Sequence, residues 1–216
     1  MSKILLASNN PGKLVEFKAL LHPVEGLSQV ELILPRQIGL ALDVLEDGQT
    51  YAENAARKAL AYYNAVSKME GEKPVILADD SGLEVDCLAG APGLYSARYS
   101  QEPGAVGAVH PVGDDADRRA YLLHNLAGQP RPWQAHFHCT VALISPAGEL
   151  VYTHADCSGE VIPTERGSGG FGYDPIFFLP ALGLTMAELN MEEKNQLSHR
   201  ALAVKAAIPI LRQWLA

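Results

Sequence analysis

The sequence predicts an α/β protein built on a mixed β-sheet with flanking helices. Three observations carry this. A short apolar run, Lys3–Ala7, leads directly into a helix-start signal at Asn10-Pro11. A second apolar run, Val75–Ala78, follows a long helical stretch that begins at Thr50. Two strand-like runs, Ala135–Ser145 and Glu149–Cys157, flank the turn sequence Pro146-Ala-Gly148. Strands alternating with helices give the α/β class, and the hairpin argues against a purely parallel sheet.

Each element follows from local chemistry. Asn10 can accept from free N–H groups at a helix start, and Pro11 suits the first turn, where its missing N–H is not needed. Leu14, Phe17, Leu20 and Leu21 then recur at helical spacing. Thr50-Tyr-Ala-Glu53 reads as a capping box opening a helix that runs to about Met69. The Val75–Ala78 strand runs into Asp79-Asp80-Ser81-Gly82, whose residue types suit a turn. Residues 100–118 are rich in Gly, Pro and charge and read as an exposed connection. A short helix is expected over Asp117–Leu126, a break over Gly128–Pro132, and an apolar extended run over Asp174–Leu179. Ser198 is placed to cap a last helix through Trp214, bent at Pro209. No internal repeat or low-complexity tract is present.

The chain has 216 residues, 48% of them hydrophobic, enough to bury a core in one domain, 1–216. Seventeen basic against 25 acidic residues leave a net charge of −8, which argues against a sequence-independent nucleic-acid binder. A small anionic substrate remains compatible if local cations or a metal offset that field. Cys87, Cys139 and Cys157 form no C-x-x-C pair and suggest neither a disulfide framework nor a zinc site, which fits a reducing cytosolic compartment. The N-terminus reads as neither a signal peptide nor a membrane span.

Two motifs fail on inspection. Gly12-Lys13 lacks the earlier glycine and the following Ser or Thr of a P-loop: positions 7 and 14 are Ala and Leu. Gly167–Gly172 matches G-x-G-x-x-G literally but lacks the strand-before, helix-after setting of a dinucleotide fold. A glycine loop that lets backbone approach a ligand is still reasonable there.

Several clusters can carry chemistry. Ser8-Asn9-Asn10-Pro11-Gly12-Lys13 joins a strand end to a helix start, where free N–H groups, the helix dipole and the Lys13 charge suit a phosphate; an ordinary capped surface helix has the same pattern. Asp79 and Asp80 repel each other unless a cation compensates them, and a hard divalent ion is the usual answer; the alternative is an acidic turn in water. Glu46-Asp47-Gly48 is a second acidic turn able to complete a metal site, while Glu53 is accounted for by capping. His136 and His138, two apart, read as strand residues. Phe171-Gly172-Tyr173-Asp174 offers aromatic faces for stacking on a base and a carboxylate for its N–H groups. Lys194, His199 and Arg200 are donors suited to an acceptor-rich ligand, and on residue type alone Arg200 would go to a phosphate.

Taken in order, five segments resemble the inosine-triphosphate pyrophosphatase (Ham1-like) family: SNNPGK at 8–13, YAENAARKA at 51–59, ADDSGLEVDCLAGAPGLYSARYS at 78–100, GGFGYDPIFF at 169–178 and EEKNQLSHRA at 192–201. Residues 101–134 match least. The resemblance implies an elongated α/β protein with a cleft between two lobes, acting as a cytosolic homodimer that needs Mg2+. It implies hydrolysis of deaminated purine nucleoside triphosphates (ITP, dITP, XTP) to monophosphate and pyrophosphate. The 8–13 segment, with Ser8, Asn10 and Lys13 foremost, would contact the triphosphate, assisted by Lys58. Glu46 and Asp80 would bind the metal, with Asp79 and Glu53 as other candidates for the second ligand. Asp80 would also be the general base, and Ser81 a substrate contact. Phe171, Gly172, Tyr173 and Asp174, with Lys194, His199 and Arg200, would form the nucleoside-side pocket, and base selectivity would rest on His199, Arg200 and Asp174.

Overall fold

The computed structural model describes residues 2–8, 10–101 and 114–215, without the side chains at 11, 100 and 101. Seven strands form one mixed sheet: β1 (Lys3–Leu6), β2 (Glu31–Ile33), β3 (Val75–Val85), β4 (Trp133–Ile144), β5 (Leu150–Val161), β6 (Phe177–Leu179) and β7 (Leu184–Thr185), in the order β2-β1-β3-β4-β5-β6-β7. β1 runs parallel to β2 and β3, whereas β6 is antiparallel to β5 and β7. The helices are α1 (Pro11–Leu21), α2 (Tyr51–Val66), α3 (Asp115–Leu126), α4 (Met191–Leu197) and α5 (His199–Leu215). The mixed α/β sheet expected from the sequence is present.

Contacts divide the chain into two compact units. The first comprises Met1–Asp80, Cys139–Ala155 and His199–Ala216. Here strand residues alternate between two apolar layers, because successive side chains point to opposite faces. Ile4, Leu6, Val75 and Leu77 pack with Phe17 and Leu21 of α1 and Val204 and Leu211 of α5. Leu5, Ile76 and Ala78 pack with Ala55, Ala59 and Tyr62 of α2. The second unit comprises Ser81–His138 and Asp156–Ser198. Its core joins Leu83 and Val85 to Leu122 and Leu126 of α3, with the rings of Phe137 and Phe177 tilted against each other at 4.5 Å between centroids.

Several local expectations change. Asp79-Asp80-Ser81-Gly82 is no turn: β3 continues through it to Val85. Turn-type residues are overridden because β3 is central, between β1 and β4, and Leu83 and Val85 beyond them are buried. Asp174–Ile176 forms a 3-10 turn, and only Phe177–Leu179 is strand. α2 stops at Val66, and α3 starts earlier than expected, where Asp114 and Asp117 form a reciprocal cap. Thr50 caps α2 by accepting from the Glu53 N–H, but the Glu53 carboxylate accepts from Gln49 N–H instead of returning to Thr50. β2, β7 and α4 carried no clear sequence signal; each is seven residues or shorter. α5 runs through Pro209 as one helix. The three cysteines are free. Among the described residues, no helix is long and apolar enough to cross a membrane.

Candidate active site

The strand alternation that builds the first unit also decides what its two acidic residues meet. Asp79 follows Val75 and Leu77 to the α1/α5 face, and Asp80 follows Ile76 and Ala78 to the α2 face. The repulsion expected between adjacent carboxylates is thereby reduced, and each carboxylate is compensated by cations of the chain itself.

Asp79 is 2% exposed. Lys13 Nζ donates to its Oδ1 at 2.7 Å and Arg200 Nε to its Oδ2 at 3.1 Å. Burial alone would raise this carboxyl's pKa, but Lys13, Arg200 and Lys58 outweigh burial and hold it well below the usual carboxylate range. Arg200 also donates through Nη1 to Glu16 Oε2 at 2.8 Å, and despite burial its own pKa is raised by Asp79 and Glu16. Beside this group, burial pushes the Cys139 thiol up to about 12, with the Asp79 charge adding to the effect.

Asp80 is partly buried and meets α2. Asn54 Nδ2 donates to its Oδ2 at 3.1 Å, and Lys58 Nζ lies 3.5 Å from its Oδ1. The same ammonium donates to Glu46 Oε2 at 2.9 Å, so Glu46 and Asp80 share one cation. Burial raises the Asp80 pKa, and Lys58 and Asn54 only partly counter it. Burial works against the Lys58 charge too, but Asp80, Asp79 and Glu46 outweigh it and the Lys58 pKa is raised. The loop bearing Glu46 is pinned to α2 twice more: Arg57 pairs with Asp47, and Gly48 N–H donates to Asn54 Oδ1 at 2.8 Å. A Cβ on Gly48 would stand 2.7 Å from that Oδ1, so only glycine lets the loop come this close.

The 8–13 segment lies where the sequence puts it, between β1 and α1. Asn10 N–H donates to Ser8 Oγ and Gly12 N–H to Asn10 Oδ1, which shapes the loop and caps α1. Asn9 lies outside the described residues, and Pro11 opens the helix. A cavity of about 320 Å³ is lined by Ser8, Asn10, Lys13, Asp43, Glu46, Lys58 and Tyr62 among others. That is at the small end of ligand-site volumes, about 300–1,000 Å³. It joins a helix N-terminus, two ammonium groups and two carboxylates.

The second unit holds the other predicted cluster. Asp174 is 4% exposed and its Oδ2 accepts from Lys194 Nζ at 2.7 Å and from Phe171 N–H at 3.0 Å. Phe171 is 42% exposed, with Lys194 Nζ 5.3 Å from its ring centroid. Tyr173 departs from the expected stacking role: its ring is buried and its hydroxyl donates to the Ser96 carbonyl at 2.8 Å, so it anchors the loop. Gly172 shares that loop, and Ser81 sits half-buried in β3 as the second unit begins.

The expected nucleoside-side donors come from two successive helices, α4 and α5. Lys194 belongs to the second unit, whereas His199 and Arg200 open α5 in the first, both buried. The structure puts the Arg200 guanidinium on Asp79 and Glu16, next to Lys13, because a buried guanidinium needs carboxylates. Asp79 is engaged by two cations and Glu53 by Gln49 N–H, which leaves Glu46 and Asp80 as the carboxylates gathered around one cation. Among the described residues no three Asp, Glu, His or Cys side chains converge as a complete metal cage. His136 and His138 pair with Glu84 and Asp156, as strand-face residues do. Sequence reasoning passed over Asn54 and Glu16. Asn54 did leave a signal, since Asn is a poor former of helix interiors and sits in the second turn of α2.

The sequence profile of the Ham1 family matches residues 4–210. A protein of Desulforamulus reducens named dITP/XTP pyrophosphatase is 42% identical over 212 residues, covering 98% of this chain and 96% of that protein. One of the same name from Geobacillus kaustophilus is 43% identical over 215 residues, covering 99% and 95%. The solved structure of the Staphylococcus aureus Ham1 protein superposes with a TM-score of 0.79 at 35% identity, covering 98% of this chain and 99% of that one. The Coxiella burnetii HAM1 protein gives 0.79 at 36%, covering 99% and 100%. With a profile match across nearly its whole length, this chain belongs to the Ham1 family.

Proposed function

We propose that this chain is a nucleoside-triphosphate pyrophosphatase that hydrolyses dITP, ITP and XTP to the monophosphate and pyrophosphate. The relatives named dITP/XTP pyrophosphatase supply the reaction. The observation that carries it onto these residues is the split of Asp79 and Asp80 across β3, with Lys13 held on one side and Lys58, Glu46 and Asp80 gathered on the other. The α1 N-terminus lies in the same unit.

In this reading Ser8, Asn10, the Gly12 N–H and Lys13 receive the phosphates. Lys13, hydrogen-bonded to Asp79, steadies the pyrophosphate as it departs. Asp80 accepts the proton of the attacking water. Lys58 holds Glu46 and Asp80 together, and Asn54 fixes the Asp80 carboxylate from the α2 side. Phe171 offers an exposed face to the base, with Asp174 and Lys194 behind it.

Magnesium belongs to the same proposal. What supports it is the donor set: two carboxylates with hard oxygen ligands already sharing a cation, the arrangement Mg2+ uses when phosphates and waters complete its shell. When bound there, the ion supplies polarisation of phosphoryl oxygens and neutralisation of developing charge. The family resemblance adds a cytosolic homodimer; sedimentation of the purified protein checks the dimer.

The test is a panel of nucleoside triphosphates with Mg2+, with pyrophosphate and orthophosphate measured separately. One pyrophosphate and one IMP per ITP are expected, with turnover lost in EDTA and restored by Mg2+. Orthophosphate with IDP would overturn the assignment, and binding without turnover would make the chain a nucleotide sensor.

A further inference from the structure

The glycine loop of the second unit is held from outside as well as from within, and the outer hold involves residues with no assigned role. Gly172 N–H donates to Asp115 Oδ2 at 2.6 Å, and the Gly172 carbonyl accepts from Arg119 Nη1 at 2.9 Å. Both polar groups of one loop residue are therefore taken by α3. Asp115 and Arg119 are four apart, the spacing that places two side chains on one helix face. Arg119 turns its remaining donors on Glu165, with Nε to Oε1 at 2.7 Å and Nη2 to Oε2 at 3.1 Å. Arg118 pairs with Asp115 and adds to its orientation. The reciprocal cap between Asp114 and Asp117 fixes the start of the helix from which both grips extend.

Gly172 has a φ of +62°, and a Cβ there would meet nothing within 4 Å. Gly172 has no side chain to pack, and the two hydrogen bonds from α3 fix its backbone groups. On one side of it stands the exposed Phe171 ring; on the other are the buried Tyr173 and Asp174. We propose that Asp115 and Arg119 are positioning residues for nucleobase recognition, clamping the Gly172 backbone so that the Phe171 ring and the Asp174–Lys194 pair are presented together. This rests on the proposed pyrophosphatase function, in which that loop faces the base.

The clamp acts on the base end of the substrate and leaves the phosphate end alone. Inorganic tripolyphosphate, which has no base, separates the two. In Asp115→Ala and Arg119→Ala, KM for ITP should rise roughly tenfold, the scale of a lost charge-assisted hydrogen bond. kcat should change far less, the ITP-to-ATP preference should narrow, and the inhibition constant of tripolyphosphate should stay within about twofold. Asp115→Asn, which keeps an oxygen for the Gly172 N–H, should recover most of the affinity lost in Asp115→Ala. Assays run well below each variant's Tm keep folding out of the comparison. An unchanged KM and preference in both alanine variants would overturn the clamp. So would equal-factor rises in the ITP KM and the tripolyphosphate inhibition constant, the mark of a merely structural role. If the wild-type protein itself fails to hydrolyse ITP, the functional proposal falls and the clamp's role falls with it.

Discussion

Asp79 in the first unit and Asp174 in the second are both buried carboxylates with a lysine at 2.7 Å, yet the regions around them are built differently. Around Asp79 the geometry is held by charge: Lys13 from α1, Arg200 from α5 and, behind Arg200, Glu16. Around Asp174 it is held by the backbone path. The Phe171 N–H turns back onto the carboxylate, and a Cβ on Gly170 would lie 2.0 Å from Asp174 Oδ2. The difference teaches what each region tolerates. The first should be sensitive to neutralising a charge without changing shape, and the second to adding a methyl group without changing charge.

The largest expected effect tests the first region against its own neighbour. Asp80→Asn should lower turnover on the order of a hundredfold or more, as for a general base or metal-linked group, while the melting temperature moves little. Asp79→Asn, an identical change one residue earlier, should act chiefly on stability. It leaves Lys13 and Arg200 short of a buried partner, which costs about 3–5 kcal/mol and lowers Tm by roughly 10 °C in a chain of this length. Calorimetry and ITP kinetics on the two variants decide this. If Asp79→Asn melts like the wild type, the charge network is not what holds this region.

A smaller effect is expected in the second region. Gly170 has a φ of +73°, so Gly170→Ala combines backbone strain with the clash at Asp174 and should cost about 1–3 kcal/mol. Its kinetic signature should be a raised KM for ITP, with tripolyphosphate inhibition little altered. Equal weakening of both would show that the loop is not specific to the base end.

The smallest effect is a pH dependence with opposite signs at adjacent residues. Asp79 has a folded pKa below its unfolded value of about 3.9, so its contribution to stability is present above that value and lost as pH falls through the folded one. Asp80 has a folded pKa above its unfolded value, so its contribution is fully present below about 3.9 and lost as pH rises through the folded one. Melting curves from pH 2 to 6 should therefore show a shallower acid loss in Asp79→Asn and a steeper one in Asp80→Asn. Slopes that change in the same direction would contradict the opposite shifts of the two carboxyls.

By itself, the sequence determined what depends on neighbours a few residues apart. The capped start of α1, the Thr50 cap of α2, the β4–β5 hairpin and the α/β class all follow from periodicity and turn chemistry, and the structure contains them. The ordered motifs pointed to the Ham1 family, to which the profile match assigns the chain. Only the tertiary structure decided how the charges are shared. Asp79-Asp80-Ser81-Gly82 has turn residues but lies in a central strand, and that alone sends Asp79 and Asp80 to different faces. Lys13 reaches Asp79 across 66 residues of sequence and Arg200 reaches it across 121. Tyr173 turns inward to Ser96, 77 residues away, and Asn54 finds Asp80 at a separation of 26. The physical reason is the same in each case. A local pattern fixes backbone conformation, whereas the partner of a buried charge or hydroxyl is fixed by which distant segment packs beside it, and burial makes that pairing obligatory.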